Sequence, residues 1–323
     1  MYRNRLYMIF AVYVLTQTLP QASNEPHPMV WSPLLDLTNH TQVLSIEYTH
    51  EGMAHVITPE QELRLFEGLR RLEIQDALYW MNGPLVYLDE EWQITKVDLE
   101  KTLAPLVTKF ERGTTTRPFV VVLDPGHGGH DPGAVEGEYL EKDIVLDVSR
   151  ILQAKLQAQG ITVALTRTND TYIALEERPI LARQLQASVL VSIHANRTHS
   201  SFANGIESFI LPAPGFPGTS NSSAPRHQSL TANRFDPQNL LFANALHRAM
   251  INDTRAVDRG IKRERFAVLR DAPCPAVLIE IGFMSNPTDL ANLLDPDWIN
   301  TLTDALRDGI LAYMPQQRQQ QAP

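Results

Sequence analysis

One cysteine, Cys274, is all that 323 residues contain, so no disulfide can form within the chain. Stability must therefore come from a packed core. Cys274 lies in DAPCPAVLIE with no base beside it in sequence, and it reads as a buried structural thiol rather than a nucleophile. Positive charge is also scarce, with 28 Lys and Arg against 37 Asp and Glu and a net charge of −9, which removes the electrostatic footprint of a nucleic-acid binder. Long apolar runs are missing too. The stretch from Leu6 to Leu15 falls well short of the roughly 20 residues that cross a bilayer, so no stable membrane span is expected. With Arg3 and Arg5 ahead of it and Ala22 as the cleavage position, residues 1–22 have the layout of a secretory signal peptide. An exported protein of the periplasm or the extracellular cell envelope is expected.

The rest of the chain divides by pattern. Residues 23–44 are polar and Pro-containing and are expected to be a spacer. Residues 45–110 carry short apolar stretches broken by Asn82-Gly83-Pro84 and Asp89-Glu90, which predicts small strands joined by turns. Thr95 precedes Asp98 at capping-box spacing, so a helix is expected next, ended or kinked at Pro105. This is a small α+β module. Its Tyr79, Trp80, Tyr87 and Trp92 suit either a core or a sugar-stacking, wall-binding surface, and the core reading is the stronger.

After a linker at 111–118, residues 119–314 alternate strand and helix patterns: FVVVLD, then a helix from Glu141 that stops at Gly160, ITVALTRT, a helix from Glu177, SVLVSIHAN, GIESFIL, NLLFANALHRAMIND, AVLIEIGF and a last helix. The order predicts an α/β domain whose mostly parallel sheet is flanked by helices on both faces. Residues 212–237 interrupt it as an inserted loop rich in Pro, Ser and Gly, and 315–323 form a tail.

Chemistry concentrates at strand ends. DPGHGG sets His127 among glycines just after a strand, LVSIHAN ends a second with His194, and AVLIEIGF buries Glu280 between isoleucines. A carboxylate there is costly unless it is paired or bound to a metal. Ligand sites of open α/β sheets collect at the carboxyl ends of the strands, so the three can converge. Two histidines, one carboxylate and an open position form the ligand set of catalytic zinc. His130 and His199 are nearby alternatives. Glu141 opens a helix, where a carboxylate serves equally to complement the helix dipole or to bind a metal.

DPGHGG, LEKD, SIHAN and IEIGFMSNP, in this order, resemble the zinc-dependent N-acetylmuramoyl-L-alanine amidase family over residues 119–313. The resemblance implies one Zn2+ held by His127, Glu141 and His194, with Glu280 as the catalytic carboxylate. It also implies peptidoglycan as substrate, cleaved between N-acetylmuramic acid and L-alanine. Some members of that family are released from inhibition by an activator protein, so an activator is a candidate partner here and 212–237 a candidate lid or partner-binding loop. Asn196 and Arg270 are further candidates for substrate contact, and Asp124 for orienting a ligand. Rival readings are a zinc carboxypeptidase on wall peptides and a non-catalytic peptidoglycan-binding protein. The second has no need of Glu280.

Overall fold

The computed structural model describes residues 29–108, 114–115, 117–220, 227–314 and 316–317. The expected signal peptide lies outside them.

The N-terminal part begins with β1 (Trp31–Pro33) and a 3-10 turn at Leu34–Asn39. A meander follows, β2 (Ser45–Tyr48), β3 (Met53–Ile57), β4 (Glu62–Phe66), β5 (Arg71–Ile74) and β6 (Ala77–Trp80), then the hairpin β7 (Val86–Leu88) and β8 (Glu91–Thr95). Residues 31–39 are therefore not spacer. β1 pairs antiparallel with β8, and Leu34 and Leu37 are fully buried. The two leucines anchor a short stretch set between the polar runs SNEPHP and TNHTQ, which is why the composition of 23–44 resembles a linker.

Thr95 caps the helical segment as its spacing predicts, its Oγ1 accepting from the Asp98 amide at 3.1 Å. That segment runs as α1 (Lys96–Asp98), a π-type turn at Leu99–Leu103 and α2 (Ala104–Val107). Pro105 has no N–H to give the carbonyl four residues back, and the winding opens just ahead of it instead of ending.

The C-terminal part contains, after β9 (Thr114–Thr115), the strands β10 (Val120–Pro125), β11 (Val135–Glu136), β12 (Tyr139–Leu140), β13 (Thr162–Leu165), β14 (Val189–Asn196), β15 (Ile206–Ile210), β16 (Asp258–Arg263) and β17 (Ala276–Phe283). Its helices are α3 (Glu141–Ala158), α4 (Glu177–Gln184), α5 (Asp236–Thr254), α6 (Ala267–Arg270), α7 (Pro287–Leu294) and α8 (Pro296–Tyr313). β18 (Gln316–Gln317) pairs with β9, so part of the expected tail is held in a two-stranded sheet.

One sheet of 11 strands runs β13-β10-β14-β17-β15-β16-β6-β5-β4-β3-β2. The first four are parallel, β15 is reversed against β17, and the meander is antiparallel, so the sheet is mixed. β15 reverses because the nine residues 197–205 that lead to it from β14 are too few for the helical crossover that a parallel return requires. The meander extends the same sheet. β6 lies beside β16, with Ile261 in register with Tyr79.

Alternation along the central strands sorts side chains to two faces. Val121, Leu123, Val191, Ile193, Val277 and Ile279 join one core with residues of α3, α5 and α8. Val122, Leu190, Ala276 and Leu278 join a smaller one with Ala182 of α4 and Val268 and Leu269 of α6. Helices thus cover both faces, as the alternating pattern predicts.

Asp258–Arg263 carries four charged residues in six and lacks a strand's alternation, which is why sequence pattern does not reveal β16. Cys274 is buried, and burial pushes its thiol up to about 12, in keeping with a structural role. The described part of 212–237 is irregular apart from a 3-10 turn, and α5 already begins at Asp236.

Candidate metal centre

The centre forms where β10 and β14 end side by side. Asp124 and Ser192 are in register, and the chain turns out of the sheet after Pro125. Gly126 is required at that turn because a Cβ there would lie 2.3 Å from the His194 ring. His127 follows with φ of +60°, a left-handed backbone that costs a β-carbon-bearing residue energy and has to be held by its surroundings. Arg178 supplies part of the hold, donating to the carbonyls of Pro125 at 2.9 Å and His127 at 3.0 Å. Arg167 donates to those of Pro125 and Gly126 at 3.1 and 2.7 Å.

His127, Glu141 and His194 converge, each offering a ligand atom within 4.8 Å of the other two. Glu141 stands at the first position of α3 and is buried at 5% exposure. Its Oε1 lies 3.1 Å from Nε2 of His127 and 2.9 Å from Nδ1 of His194, and the Ala134 amide donates to its Oε2 at 2.8 Å. The imidazole planes are nearly perpendicular, at 82° with centroids 5.0 Å apart. Burial alone would raise the Glu141 carboxyl, but the two histidine rings outweigh it and hold the group far below the usual carboxylate range. His127 shows the reverse: burial disfavours its charged form, yet Glu141 and then Asp131 outweigh burial and raise it. A pocket that draws a proton onto the His127 ring is one that attracts a cation.

Glu280 lies beside this set on β17. It is in parallel register with His194 and in antiparallel register with Glu207 of β15. Its Oε2 is buried and has no hydrogen-bond partner among the described residues. Burial raises its pKa well above the ordinary value, and the charges of Glu141 and Glu207 add to the effect. A cavity of about 380 Å³ opens here, lined by His127, Glu141, His194 and Glu280 together with Asn196, Leu175 and Phe266. The orphaned carboxylate oxygen and the donor set of two imidazoles and one carboxylate both fit a catalytic zinc ion with a coordination position left open.

The other expectations fare unevenly. Asn196 lines the cavity, with its Nδ2 at 3.5 Å from Oε2 of Glu207. Arg270 does not line it, and its Nε is buried without a partner among the described residues, so the substrate contact expected of Arg270 is not supported. Asp124 touches no ligand ring. It is fully buried and accepts from Thr166 at 2.6 Å, Ser192 at 2.7 Å and Arg178 at 2.8 Å, so it reaches His127 only through Arg178.

The carboxylate that does touch a ring is Asp131, with Oδ2 2.8 Å from Nδ1 of His127. His130 is exposed and packs at a tilt against Tyr172, with ring centroids 4.2 Å apart, and neither it nor the exposed His199 joins the cluster. Among described residues, none of 212–237 lines the cavity. The segment is tied to the N-terminal module, with the Ala213 amide on Oδ1 of Asn82 at 2.9 Å and Arg70 on the Gly218 carbonyl at 2.9 Å. The lid reading is therefore not supported.

Against known proteins, the profile of the N-acetylmuramoyl-L-alanine amidase family matches residues 121–312, well over half of the chain. The chain belongs to this amidase family. It is 34% identical over 193 residues to N-acetylmuramoyl-L-alanine amidase LytC of Bacillus subtilis, a match covering 60% of the chain and 35% of that protein. To amidase AmiC of Escherichia coli it is 31% identical over 264 residues, covering 72% of the chain and 62% of AmiC. Probable cell wall amidase LytH of Staphylococcus aureus is 34% identical over 196 residues, at 60% and 57% coverage. The chain thus spans between about a third and three-fifths of the curated relatives' length.

Among solved structures of the amidase family, the catalytic domain of CwlV from Bacillus (Paenibacillus) polymyxa superposes with a TM-score of 0.51 at 34% identity, over 60% of this chain and 97% of that one. AmiC2 of Nostoc punctiforme superposes with 0.52 at 29% identity, over 62% and 98%.

Proposed function

We propose that the chain is a zinc-dependent N-acetylmuramoyl-L-alanine amidase that hydrolyses the amide bond between N-acetylmuramic acid and L-alanine in peptidoglycan. The observation that carries this is Glu280, whose Oε2 is buried with no hydrogen-bond partner among the described residues, one strand from His194 and facing the same cavity as His127 and Glu141. A binding protein would have no use for so costly a group.

His127, Glu141 and His194 would hold the zinc. A zinc ion so held supplies Lewis-acid chemistry, lowering the pKa of a coordinated water from about 15.7 toward about 7 and polarising a carbonyl. Glu280 takes a proton from the attacking water and returns it to the departing alanine nitrogen, acting as base and then as acid. Asp131 fixes the ring of His127 from its far nitrogen. Asn196, which lines the cavity, would hydrogen-bond the peptide.

A wall substrate puts the enzyme in the periplasm or outer envelope, which agrees with the signal-peptide layout of residues 1–22. No helix among the described residues is long and apolar enough to cross a membrane. In the N-terminal module, residues 45–110, Tyr79 is buried, whereas Trp92 stacks on Tyr48 at 5.4 Å beside an exposed Tyr87. The module therefore divides its aromatics between a core and an exposed surface that suits stacking on sugar rings. Digestion of purified peptidoglycan with and without a chelator tests the reading. New muramic lactyl carboxylates paired with alanine amino termini, abolished by the chelator and restored by zinc, are expected. Release of free amino acids from peptide carboxyl ends would instead identify a carboxypeptidase.

A further inference from the structure

Beyond Glu280 the charged row does not stop. Glu207, its antiparallel neighbour on β15, is 4% exposed and carries two cations on one oxygen: Nε of Arg259 at 2.5 Å and Nζ of Lys262 at 2.6 Å, both from β16. In a regular strand, residues three apart point to opposite faces. Here the register slips, since Ile206 pairs with Asp258 and Ser208 with Ile261, so two residues of β16 oppose Glu207 alone.

Gly260 makes the bulge, with φ of +86° and a backbone so close to β6 that a Cβ would meet Leu78 at 2.8 Å. Bulges of this kind re-aim side chains beside active sites. The bulge brings Arg259 onto the face that Lys262 already occupies, the face of Glu280, just beyond the residues that line the cavity. One carboxylate cannot neutralise two cations, so the cluster keeps a positive charge. Arg259 remains one-third exposed and lies over the Phe283 ring at 4.8 Å; its Nη1 reaches the Asn204 carbonyl at 3.5 Å, and its Nη2 has no partner among the described residues. Neither cation pairs with Glu280.

We infer that Arg259, with Lys262 and the orienting Glu207, forms a recognition site for a peptide carboxylate, next to Glu280 and on its side away from His127, Glu141 and His194. This rests on the amidase reading, and it names what the enzyme grips on the leaving-group side. A peptide whose residue after alanine is a glutamate joined through its side-chain carboxyl would leave an α-carboxylate free for such a site. That group sits one residue past the scissile nitrogen, on the order of the 4.8 Å that separates the strand of Glu280 from that of Glu207, onto which Arg259 and Lys262 reach from β16. Arginine's forked guanidinium suits a carboxylate, and lysine adds a point charge.

Binding of synthetic alanyl-γ-glutamyl-lysine to the zinc-loaded protein, compared with the same peptide carrying an α-carboxamide on glutamate, tests this by calorimetry. The free carboxylate is expected to bind about tenfold tighter or more. R259Q should bring the two peptides to about equal affinity, and R259K should restore part of the difference. Equal binding of both peptides to the wild-type protein, no binding of either, or full discrimination kept by R259Q overturns the inference. The wild-type comparison needs no variant to fold. Wall digestion run alongside separates the two ideas: discrimination between peptides without release of alanine termini from wall would sink the amidase reading and leave the carboxylate site standing.

Discussion

Asp131 reaches back four residues to place its Oδ2 2.8 Å from Nδ1 of His127, so the ring is fixed from behind while Nε2 faces Glu141. The same carboxylate accepts the Gly133 amide at 3.1 Å, and its own pKa is lowered, because contact with His127 outweighs the effect of burial. A carboxylate so placed sets the tautomer of a ligand histidine and raises its basicity. Asp131→Asn should therefore lower zinc affinity by about 10–100-fold with little change in fold. Competition against a graded chelator reads the affinity, and circular dichroism the fold. Unchanged zinc affinity would remove Asp131 from the centre.

Glu280→Gln separates holding the metal from using it. The variant should purify with wild-type zinc content and lose about 10²–10⁴-fold in turnover, the usual worth of general acid–base catalysis. His127→Ala and His194→Ala should lose zinc and turnover together. Metal analysis beside a muropeptide-release assay distinguishes the two classes, and an active Glu280→Gln would assign the proton transfer elsewhere.

Asp258 predicts a pH dependence away from the centre. Burial would raise its carboxyl, but the bond from His247, 2.9 Å away, outweighs it and lowers the pKa, with help from the amides of Leu78 and Gly260. A carboxyl depressed in the folded state gives stability that is present above its unfolded pKa of about 3.9 and is lost as pH falls through the lower folded value. Asp258→Asn should cost about 1–3 kcal/mol near neutrality, with its difference from wild type shrinking below about pH 4. Urea unfolding at a series of pH values measures this. A deficit independent of pH would show that shape, not charge, is what Asp258 contributes.

Cys274, with its thiol raised to about 12 by burial, should resist alkylation in the native protein at pH 8 and react promptly once unfolded. Mass spectrometry after an iodoacetamide pulse checks it. Rapid labelling of the native chain would contradict the buried position.

The parts of the site legible in the sequence are those where an apolar strand ends in, or contains, a group that does not belong there. His194 closes VLVSIHAN and Glu280 interrupts AVLIEIGF, and each announces itself by breaking a hydrophobic run. Glu141 was ambiguous by pattern alone, since a helix N-terminus accounts for a carboxylate equally well, and only its convergence with the two histidines distinguishes the roles. Arg167 and Arg178 left no trace. They act on backbone carbonyls brought near by the turn after β10, and no periodicity records a contact between residue 178 and residue 127. The signal available for them was burial of arginine, at 3% and 2% exposure, which only the folded chain reveals. β16 was hidden for a related reason. Its charged side chains bond to Glu207, His247, Trp80 and Thr102 of other elements, so it is held inside the sheet without an apolar pattern of its own.

Since β6 occupies the flank of β16, the catalytic half has no finished border of its own on that side. Cutting the chain near residue 110 would uncover a row of backbone amides and carbonyls ready to recruit a strand from another molecule. It would also free Gly260 from the Leu78 backbone that confines it, and strip Arg263 of its contacts with the Trp80 carbonyl and the Thr102 hydroxyl. The truncated enzyme should self-associate through that raw margin, so the N-terminal strands work as a selvedge for the active half whatever else they bind.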